Sequence, residues 1–185
     1  MSATDHLRRD HKLIVNRLRN IAYEYSKYIY ASNHIPVNEV KDILIVIESF
    51  ISMYHHYKEE CSYFPRVNGT ELEKEADALK IEHELGRRIA RMLNSNLENW
   101  LSTRGSSEPI ARMLKAYADY LTVHMEREER FFDAYDTKVS EIEQSKVMEE
   151  FSNIRTERMP KHLMDSIVEM LNMLESNLTK YLQDK

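Results

Sequence analysis

Two histidine–glutamate pairs in this sequence have a spacing that suits metal binding. His55 is followed four residues later by Glu59, and His124 is followed four residues later by Glu128. Residues four apart lie on the same face of an α-helix, about 6 Å apart along its axis. Each pair could therefore direct an imidazole and a carboxylate at one point, which is the donor chemistry of a non-haem metal site.

Two further histidines, His11 and His83, occupy apolar stripes of the same kind. The six side chains together would bury two carboxylates and four imidazoles, which costs several kcal/mol for each unpaired charge. Two cations would offset that cost, because carboxylates can bridge two ions while imidazoles fill the other positions. Nitrogen and carboxylate oxygen without thiolate suit iron or manganese, and zinc also fits. The predicted metal ligands are His11, His55, Glu59, His83, His124 and Glu128.

The elements that position these residues are predicted to be helices. The sequence has only 3 glycines and 4 prolines in 185 residues, too few for the turns of a sheet protein. Apolar residues recur in steps of three and four, the pattern of helices packed against neighbours. Breaks with proline, glycine and small polar residues separate four long stretches; they are Ala31–Asn38, Pro65–Thr70 and Ser102–Pro109.

This pattern predicts an all-α protein of two parts. Residues 1–136 are predicted to form an up-down-up-down four-helix bundle that carries the two-metal site. Residues 137–185 are predicted to form a C-terminal helical appendage packed on the bundle, with one helix to about Arg158 and another after Pro160.

Composition and charge exclude several classes of function. The net charge is −5, and the sequence has no basic stripe of the kind that binds nucleic acid. The longest aliphatic run, Ile43 to Ile47, is too short to cross a membrane, and the first residues lack the apolar region of a signal peptide. The single cysteine, Cys61, excludes an internal disulfide. We therefore expect a cytoplasmic protein without nucleic-acid or membrane partners.

Four sequence blocks also resemble those of a known family. They are DHKLI around His11, HHYKEECSYFP from His55 to Pro65, EHELGR around His83, and HMEREERFF from His124 to Phe132. In this order they resemble the hemerythrin-like, HHE cation-binding family. The resemblance implies two iron ions with terminal histidines and bridging glutamates; the terminal ligands would be His11, His55, His83 and His124, and the bridges Glu59 and Glu128.

One position departs from the oxygen-carrying hemerythrins, which have a second histidine four residues after the third-helix histidine. Arg87 stands there in this sequence. One terminal ligand is therefore missing, and water, a neighbouring side chain or an exogenous ligand would take its place. The resemblance then implies bacterial and archaeal relatives linked to responses to oxygen, nitric oxide or peroxide. Relatives that repair iron centres usually carry an N-terminal pair of cysteines, which this sequence lacks.

Three classes of function stay open on the sequence alone. The first is a binding or sensing module for oxygen, nitric oxide or peroxide, or one that handles iron. The second is a di-iron oxidoreductase that reduces these molecules. It would need an external redox partner, because the sequence has no glycine-rich nucleotide loop and no cysteine-rich cluster site. The third is a metal-free helical scaffold.

Residues next to the six predicted ligands are expected to have lesser roles. His56 should point about 100° away from His55 around the helix, and should either lie at the rim or support one of the ligands by contacting it. Glu60 and Glu129 should face solvent. Glu48, one heptad before His55, should either orient a ligating imidazole or lie at the rim.

Other polar residues have local roles in this interpretation. Tyr117 should pack in the core or donate a hydrogen bond to a bound oxidant, and Gly86 should permit the close approach of a neighbour. Cys61 should be a small buried side chain. The remaining histidines are expected to be non-ligands; they are His6 at the surface, His34 in a loop and His162 after the Pro160 break.

Overall fold

The computed structural model describes residues 2–183, and that part of the chain is 90% helical with no strand. Six helices follow one another, of which the first two consist of several segments. They are α1 (Ala3–Asp10, His11–Val15 and Asn16–Ser32), α2 (Val37–Val46, Ile47–His55, His56–Lys58, Glu59–Tyr63 and Phe64–Val67), α3 (Glu73–Thr103), α4 (Glu108–Lys138), α5 (Glu141–Arg158) and α6 (Lys161–Gln183). Among these residues, no helix is both long enough and apolar enough to cross a bilayer.

Helices α1 and α2 change their hydrogen-bond pattern near the predicted ligands. The segments His11–Val15, Ile47–His55 and Glu59–Tyr63 are π-helical, with bonds from residue i to i+5, and the rest of both helices is α-helical apart from a final 3₁₀ turn. Each π segment fits an extra residue into the turn, and such segments are frequent at functional sites. Here they begin or end at three of the predicted ligands, so the backbone of α2 departs from the regular helix assumed in the sequence prediction.

Local sequence signals account for the helix ends. Ser2 and Asp5 form a reciprocal capping box at the start of α1. Asn33 ends that helix in the left-handed conformation with φ 53°, which asparagine tolerates better than most residues. The hydroxyl of Ser140 accepts a hydrogen bond from the backbone N–H of Glu143 at the start of α5. The helices therefore end at the predicted breaks.

Two apolar clusters fill the interior on either side of a polar layer. The aromatic cluster is lined chiefly by rings and contains Leu7, Tyr63, Phe64, Leu79, Phe131, Phe132, Tyr135 and Phe151. The aliphatic cluster is larger and contains, among others, Ile14, Leu18, Tyr54, Ala90, Leu93, Tyr117 and Leu121. The histidines and glutamates of the predicted site fall between the two in the chain.

The order in which the chain passes the two apolar clusters reverses from one long helix to the next. Helices α1 and α3 pass from the aromatic cluster through the polar layer to the aliphatic cluster, whereas α2 and α4 pass in the opposite order. The residues flanking the polar layer, in chain order, are Leu7 and Ile14, Tyr54 and Tyr63, Leu79 and Ala90, and Leu121 and Phe131. In each of the four long helices, the polar residues therefore lie between a residue of one apolar cluster and a residue of the other.

The last two helices cover the outside of the first two. Tyr25 in α1 donates a hydrogen bond of 2.9 Å to the carbonyl of Leu174 in α6, and Arg17 pairs with Glu175 at 2.7 Å. Phe151 of α5 belongs to the aromatic cluster. Both helices thus share the core of the preceding ones.

Candidate metal centre

The six predicted ligands meet in one buried layer. They come from four helices; His11 lies in α1, His55 and Glu59 in α2, His83 in α3, and His124 and Glu128 in α4. None of them is more than 3% exposed. The structure therefore brings these side chains together in a polar pocket between the two apolar clusters, and their role as metal ligands stays a prediction.

Glu128 divides its two carboxylate oxygens between histidines of different helices. Its Oε2 lies 3.1 Å from Nε2 of His11. Its Oε1 lies 3.0 Å from Nε2 of His124 and 3.5 Å from Nε2 of His83. Two donors that bind one ion at right angles, each about 2.1 Å from it, are about 3.0 Å apart. These separations fit donors gathered around two ions, one on each side of the carboxylate.

Glu59 divides its oxygens in the same way. Its Oε1 lies 3.6 Å from Nε2 of His55, and its Oε2 lies 3.5 Å from Nε2 of His83. The Nε2 atoms of His11 and His55 lie 3.1 Å apart. Two potential metal positions follow, which we call position A, with His11 and His55, and position B, with His83 and His124. The carboxylates of Glu59 and Glu128 lie between position A and position B.

Several donor atoms of this layer have no hydrogen-bond partner in the described part of the chain. Four such atoms are buried without a hydrogen bond of acceptable geometry, although some lie close to another donor atom. They are both oxygens of Glu59, Oε2 of Glu128 and Nε2 of His124. A buried polar atom left without a partner costs about 1–3 kcal/mol. Buried polar atoms without a hydrogen-bond partner are often found where an ion binds. The residues therefore fit a pair of bound cations, which would supply the missing partners.

A further histidine joins the layer, since His56 does not lie at the rim but contacts a predicted ligand, the other of its two expected places. His56 is 2% exposed, and its ring stacks on that of His83 with centroids 3.7 Å apart. One donor atom from each of His56, His83 and His124 lies within 4.8 Å of the others. The inner face of a packed helix spans about 100° or more, so two adjacent residues can both face the interior. The sequence prediction had treated that face as a single narrow row.

The Nδ1 atoms of the predicted histidine ligands face a second set of carboxylates, and each carboxylate comes from a different helix than its histidine. The pairs are His55 with Asp10 at 3.2 Å, His83 with Glu60 at 2.7 Å, His124 with Glu82 at 2.8 Å, and His11 with Glu129 at 3.5 Å. An Nδ1–H that donates to a carboxylate leaves Nε2 free for a metal ion and fixes the orientation of the ring. We call these four acidic residues the outer carboxylates.

Each outer carboxylate also contacts a cationic side chain. The pairs are Asp10 with Lys58, Glu60 with Arg87, Glu82 with Arg127, and Glu129 with Arg8. The solvated positions predicted for Glu60 and Glu129 were therefore wrong in part, because both are tied to a histidine and a cation. Glu48, which was considered for this role, is exposed. Arg87, which replaces the expected histidine, reaches Glu60 at 3.1 Å.

Comparison with known families gives a match to the hemerythrin HHE cation-binding domain over residues 2–135. The chain belongs to this family. The match covers α1 to α3 and nearly all of α4, which carry every residue of the polar layer. A search of curated proteins and a search of solved structures each found no match. The family binds cations, typically iron, and this hemerythrin domain has groups of histidine and glutamate able to hold them.

The ionisable groups of the polar layer have pKa values shifted in different directions. Burial and the adjacent Glu128 carboxylate hold the pKa of Glu59 well above its usual range. Burial opposes ionisation of Glu128 too, but the imidazoles of His124 and His11 outweigh it and hold the pKa of Glu128 well below its usual range. Burial acts against protonation of His11 and His124, yet the carboxylates around them raise the pKa of each to about 9. Protons therefore occupy donor atoms that cations would take, and cation binding must release them.

Tyr117 and Tyr120 both belong to the aliphatic cluster, and Tyr120 lies next to the polar layer. The ring of Tyr120 stacks on that of His124 with centroids 5.2 Å apart. Its hydroxyl is buried and has no hydrogen-bond partner within residues 2–183. A Cβ atom at Gly86 would lie 2.5 Å from the Tyr120 ring. Gly86 therefore permits a close approach, as expected, and the neighbour is this tyrosine.

Residues outside the layer match their predicted places in part. His34 and His162 are exposed, in line with their assignment as non-ligands. His6 is half-buried rather than at the surface, because its ring packs on Phe151 with centroids 5.5 Å apart. Cys61 is an exposed free thiol, and its predicted burial was wrong. None of these four side chains belongs to the groups able to hold a metal among the described residues.

Proposed function

We propose that this chain is a non-haem di-iron protein that binds or responds to a small ligand such as oxygen, nitric oxide or peroxide, or handles iron. The observation that carries the proposal is the division of the oxygens of Glu59 and Glu128 between position A and position B. A carboxylate placed in this way is suited to bridge two ions. Manganese and zinc fit the same donors, and iron is favoured by the family.

The proposed architecture is an up-down-up-down bundle over residues 1–136, with residues 137–185 as an appendage. The alternating order of the two apolar clusters along α1 to α4 supports the bundle. The contacts of Tyr25 with Leu174 and of Arg17 with Glu175 support an appendage that packs on α1. The exposed thiol of Cys61 is consistent with a reducing cytoplasm.

Two irons in this layer would supply redox chemistry and an affinity for small oxidants, and the chain would supply the environment. The aromatic and aliphatic clusters exclude water on both sides of the layer. The outer carboxylates hold the imidazoles in orientation, and burial beside Glu128 raises the pKa of Glu59 well above its usual range. The buried hydroxyl of Tyr120 offers a hydrogen-bond donor next to His124.

The alternative proposal is a di-iron oxidoreductase that turns over oxygen, peroxide or nitric oxide with an external redox partner, or that acts in the repair of iron centres. The observation that favours turnover is the buried Tyr120 hydroxyl beside His124, which would donate a hydrogen bond to a bound oxidant. The geometry of the layer is the same in both proposals. Kinetics must therefore separate them.

The test uses the full chain purified without added metal, loaded anaerobically with ferrous iron and then exposed to oxygen or peroxide. Elemental analysis should find two irons per chain. For a binding protein, the optical spectrum should change once and return when the ligand is removed. Sustained consumption of peroxide over many equivalents with a reductant would instead support the enzyme. A fully helical protein that takes up no iron would overturn both and leave a scaffold.

A further inference from the structure

We propose that His56 is a metal ligand of position B, so that the chain holds one ion with His11 and His55 and the other with His56, His83 and His124. Both glutamates would be shared between the two ions. This inference rests on the proposed two-metal function and adds to it an unequal pair of positions. The observation behind it is the convergence of donor atoms of the last three histidines within 4.8 Å.

The hydrogen bonding of His56 differs from that of the other two histidines of position B. Nδ1 of His83 and of His124 each contacts an outer carboxylate. Nδ1 of His56 is buried and, like that of His11, has no hydrogen-bond partner in the described part of the chain. A buried histidine with a purely structural role usually has its polar atoms paired. His56 is therefore a buried imidazole with an unpaired nitrogen, and one of its ring nitrogens converges with those of His83 and His124.

Helix α3 contributes only His83 to position B. Arg87, one turn further along that helix, is 28% exposed at its side chain and pairs with Glu60 and Glu84. The extra donor comes instead from α2, the helix that already provides His55. Consecutive histidines on α2 therefore serve different positions, and Glu59 on the same helix lies between both.

The test replaces His56 by phenylalanine, which retains an aromatic ring against His83 and removes both nitrogens. The metal-free full-length protein is titrated anaerobically with ferrous iron in competition with a chromogenic chelator. We expect the wild type to bind two irons and His56→Phe to bind the second at least about 100-fold more weakly, because loss of a ligand should exceed the 10–100-fold effect of losing a residue that orients one. His34→Phe is the matched control at an exposed histidine and should bind like the wild type.

The outcomes distinguish the two proposals. A wild type that binds no iron overturns the di-iron function itself. A wild type that binds two irons, with a folded His56→Phe variant of unchanged affinities and Mössbauer spectrum, overturns the role of His56 alone. Helicity by circular dichroism establishes that the variant is folded.

A second measurement needs no variant. The wild type is loaded with cobalt(II), and its histidine ring nitrogens are observed by ¹⁵N NMR. Five strongly shifted imidazoles are expected, from His11, His55, His56, His83 and His124. Four shifted imidazoles with two bound cobalt ions would overturn the inference even if the phenylalanine variant does not fold.

Discussion

The polar layer and the aliphatic cluster beside it are built from the same four helices but are stabilised in different ways. In the aliphatic cluster, residues such as Leu18, Leu93 and Leu121 are fully or almost fully buried and require only close packing from their neighbours. In the polar layer, four imidazoles each contact a carboxylate from another helix, and several buried donor atoms have no hydrogen-bond partner among the described residues. The comparison teaches that one helical framework can contain a region that is stable by itself and a region that is complete only with a ligand.

The outer carboxylates show how the polar layer is organised. Each of them is adjacent in sequence to a predicted ligand of its own helix and contacts the histidine of the next helix. Asp10 of α1 serves α2, Glu60 of α2 serves α3, Glu82 of α3 serves α4, and Glu129 of α4 serves α1. The contacts therefore close a ring around the layer, and no such ring exists in the apolar clusters of the described chain.

The largest difference between the two regions is expected at Glu59 and Glu128, the two residues proposed to bridge the metals. Glu59→Gln should reduce the iron content from two per chain to none, because one carboxylate serves both positions. The metal-free variant should nevertheless be more stable than the metal-free wild type at neutral pH. The pKa of Glu59 is raised in the folded state, so an ionised glutamate opposes folding above its usual pKa, and glutamine removes that penalty. Elemental analysis and thermal melts with and without a chelator measure both effects.

Glu128→Gln sharpens this prediction, because it should also lose both metals but should destabilise the metal-free protein. The pKa of Glu128 is lowered by the imidazoles of His124 and His11, so its ionised form stabilises the fold. Glu48→Gln, on the exposed face of α2, is the control and should retain two irons. Retention of a full metal load by either bridging variant would contradict the assigned role.

The next prediction concerns the aliphatic cluster, where a substitution should change the stability of the protein and leave its metal content unchanged. Leu121 is fully buried one turn before His124. Leu121→Ala should lower the free energy of unfolding by about 2–5 kcal/mol through lost burial and a residual cavity. The iron content should stay at two per chain, as in the control Val123→Ala, whose side chain is largely exposed. Urea unfolding in the presence of a chelator measures the stability, and elemental analysis measures the iron content. Loss of metal in Leu121→Ala would show that the two regions are not separable.

The same contrast explains how far the sequence could be interpreted. Apolar periodicity depends only on each helix, so the helices, their breaks and the buried histidine–glutamate pairs could be predicted. His56 was missed because its placement depends on α2 having neighbours on two sides. Asp10 and Glu82 were missed because they serve a histidine on another helix. Their one visible signal was adjacency, since each directly precedes a predicted histidine.

A smaller effect is expected when a single outer carboxylate is neutralised. Glu82→Gln should weaken metal affinity by about 10–100-fold, because the glutamine orients His124 less firmly and does not increase its basicity. Glu75→Gln is the matched control: Glu75 also pairs with Arg127, at 2.7 Å, but contacts no histidine of the layer. Manganese(II) affinities measured anaerobically by electron paramagnetic resonance compare the two variants. Equal affinities would show that the outer ring has no influence on the metals.

A last effect compares the same protein at different pH, and it is the dependence of metal affinity on pH that follows from these contacts. His11 and His124 have a pKa of about 9 in the metal-free protein, so both are protonated at neutral pH. A metal ion must displace these protons, and each proton released should raise the apparent affinity about tenfold per pH unit up to the histidine pKa. Between pH 6 and 8, manganese(II) affinity should therefore rise with pH, and protons should appear in weakly buffered solution as the metal is added.

The metal-free protein should show the opposite trend over the same range. A raised histidine pKa adds stability that is fully present below the usual pKa near 6.5 and is lost as the pH rises through about 9. Leu121→Ala should leave both slopes unchanged, because Leu121 binds no proton and contacts the layer only by packing. If metal affinity were independent of pH while metal-free stability fell, the protons on His11 and His124 would not be the ones that metal ions displace. The proposed link between the outer carboxylates and the metal positions would then fail.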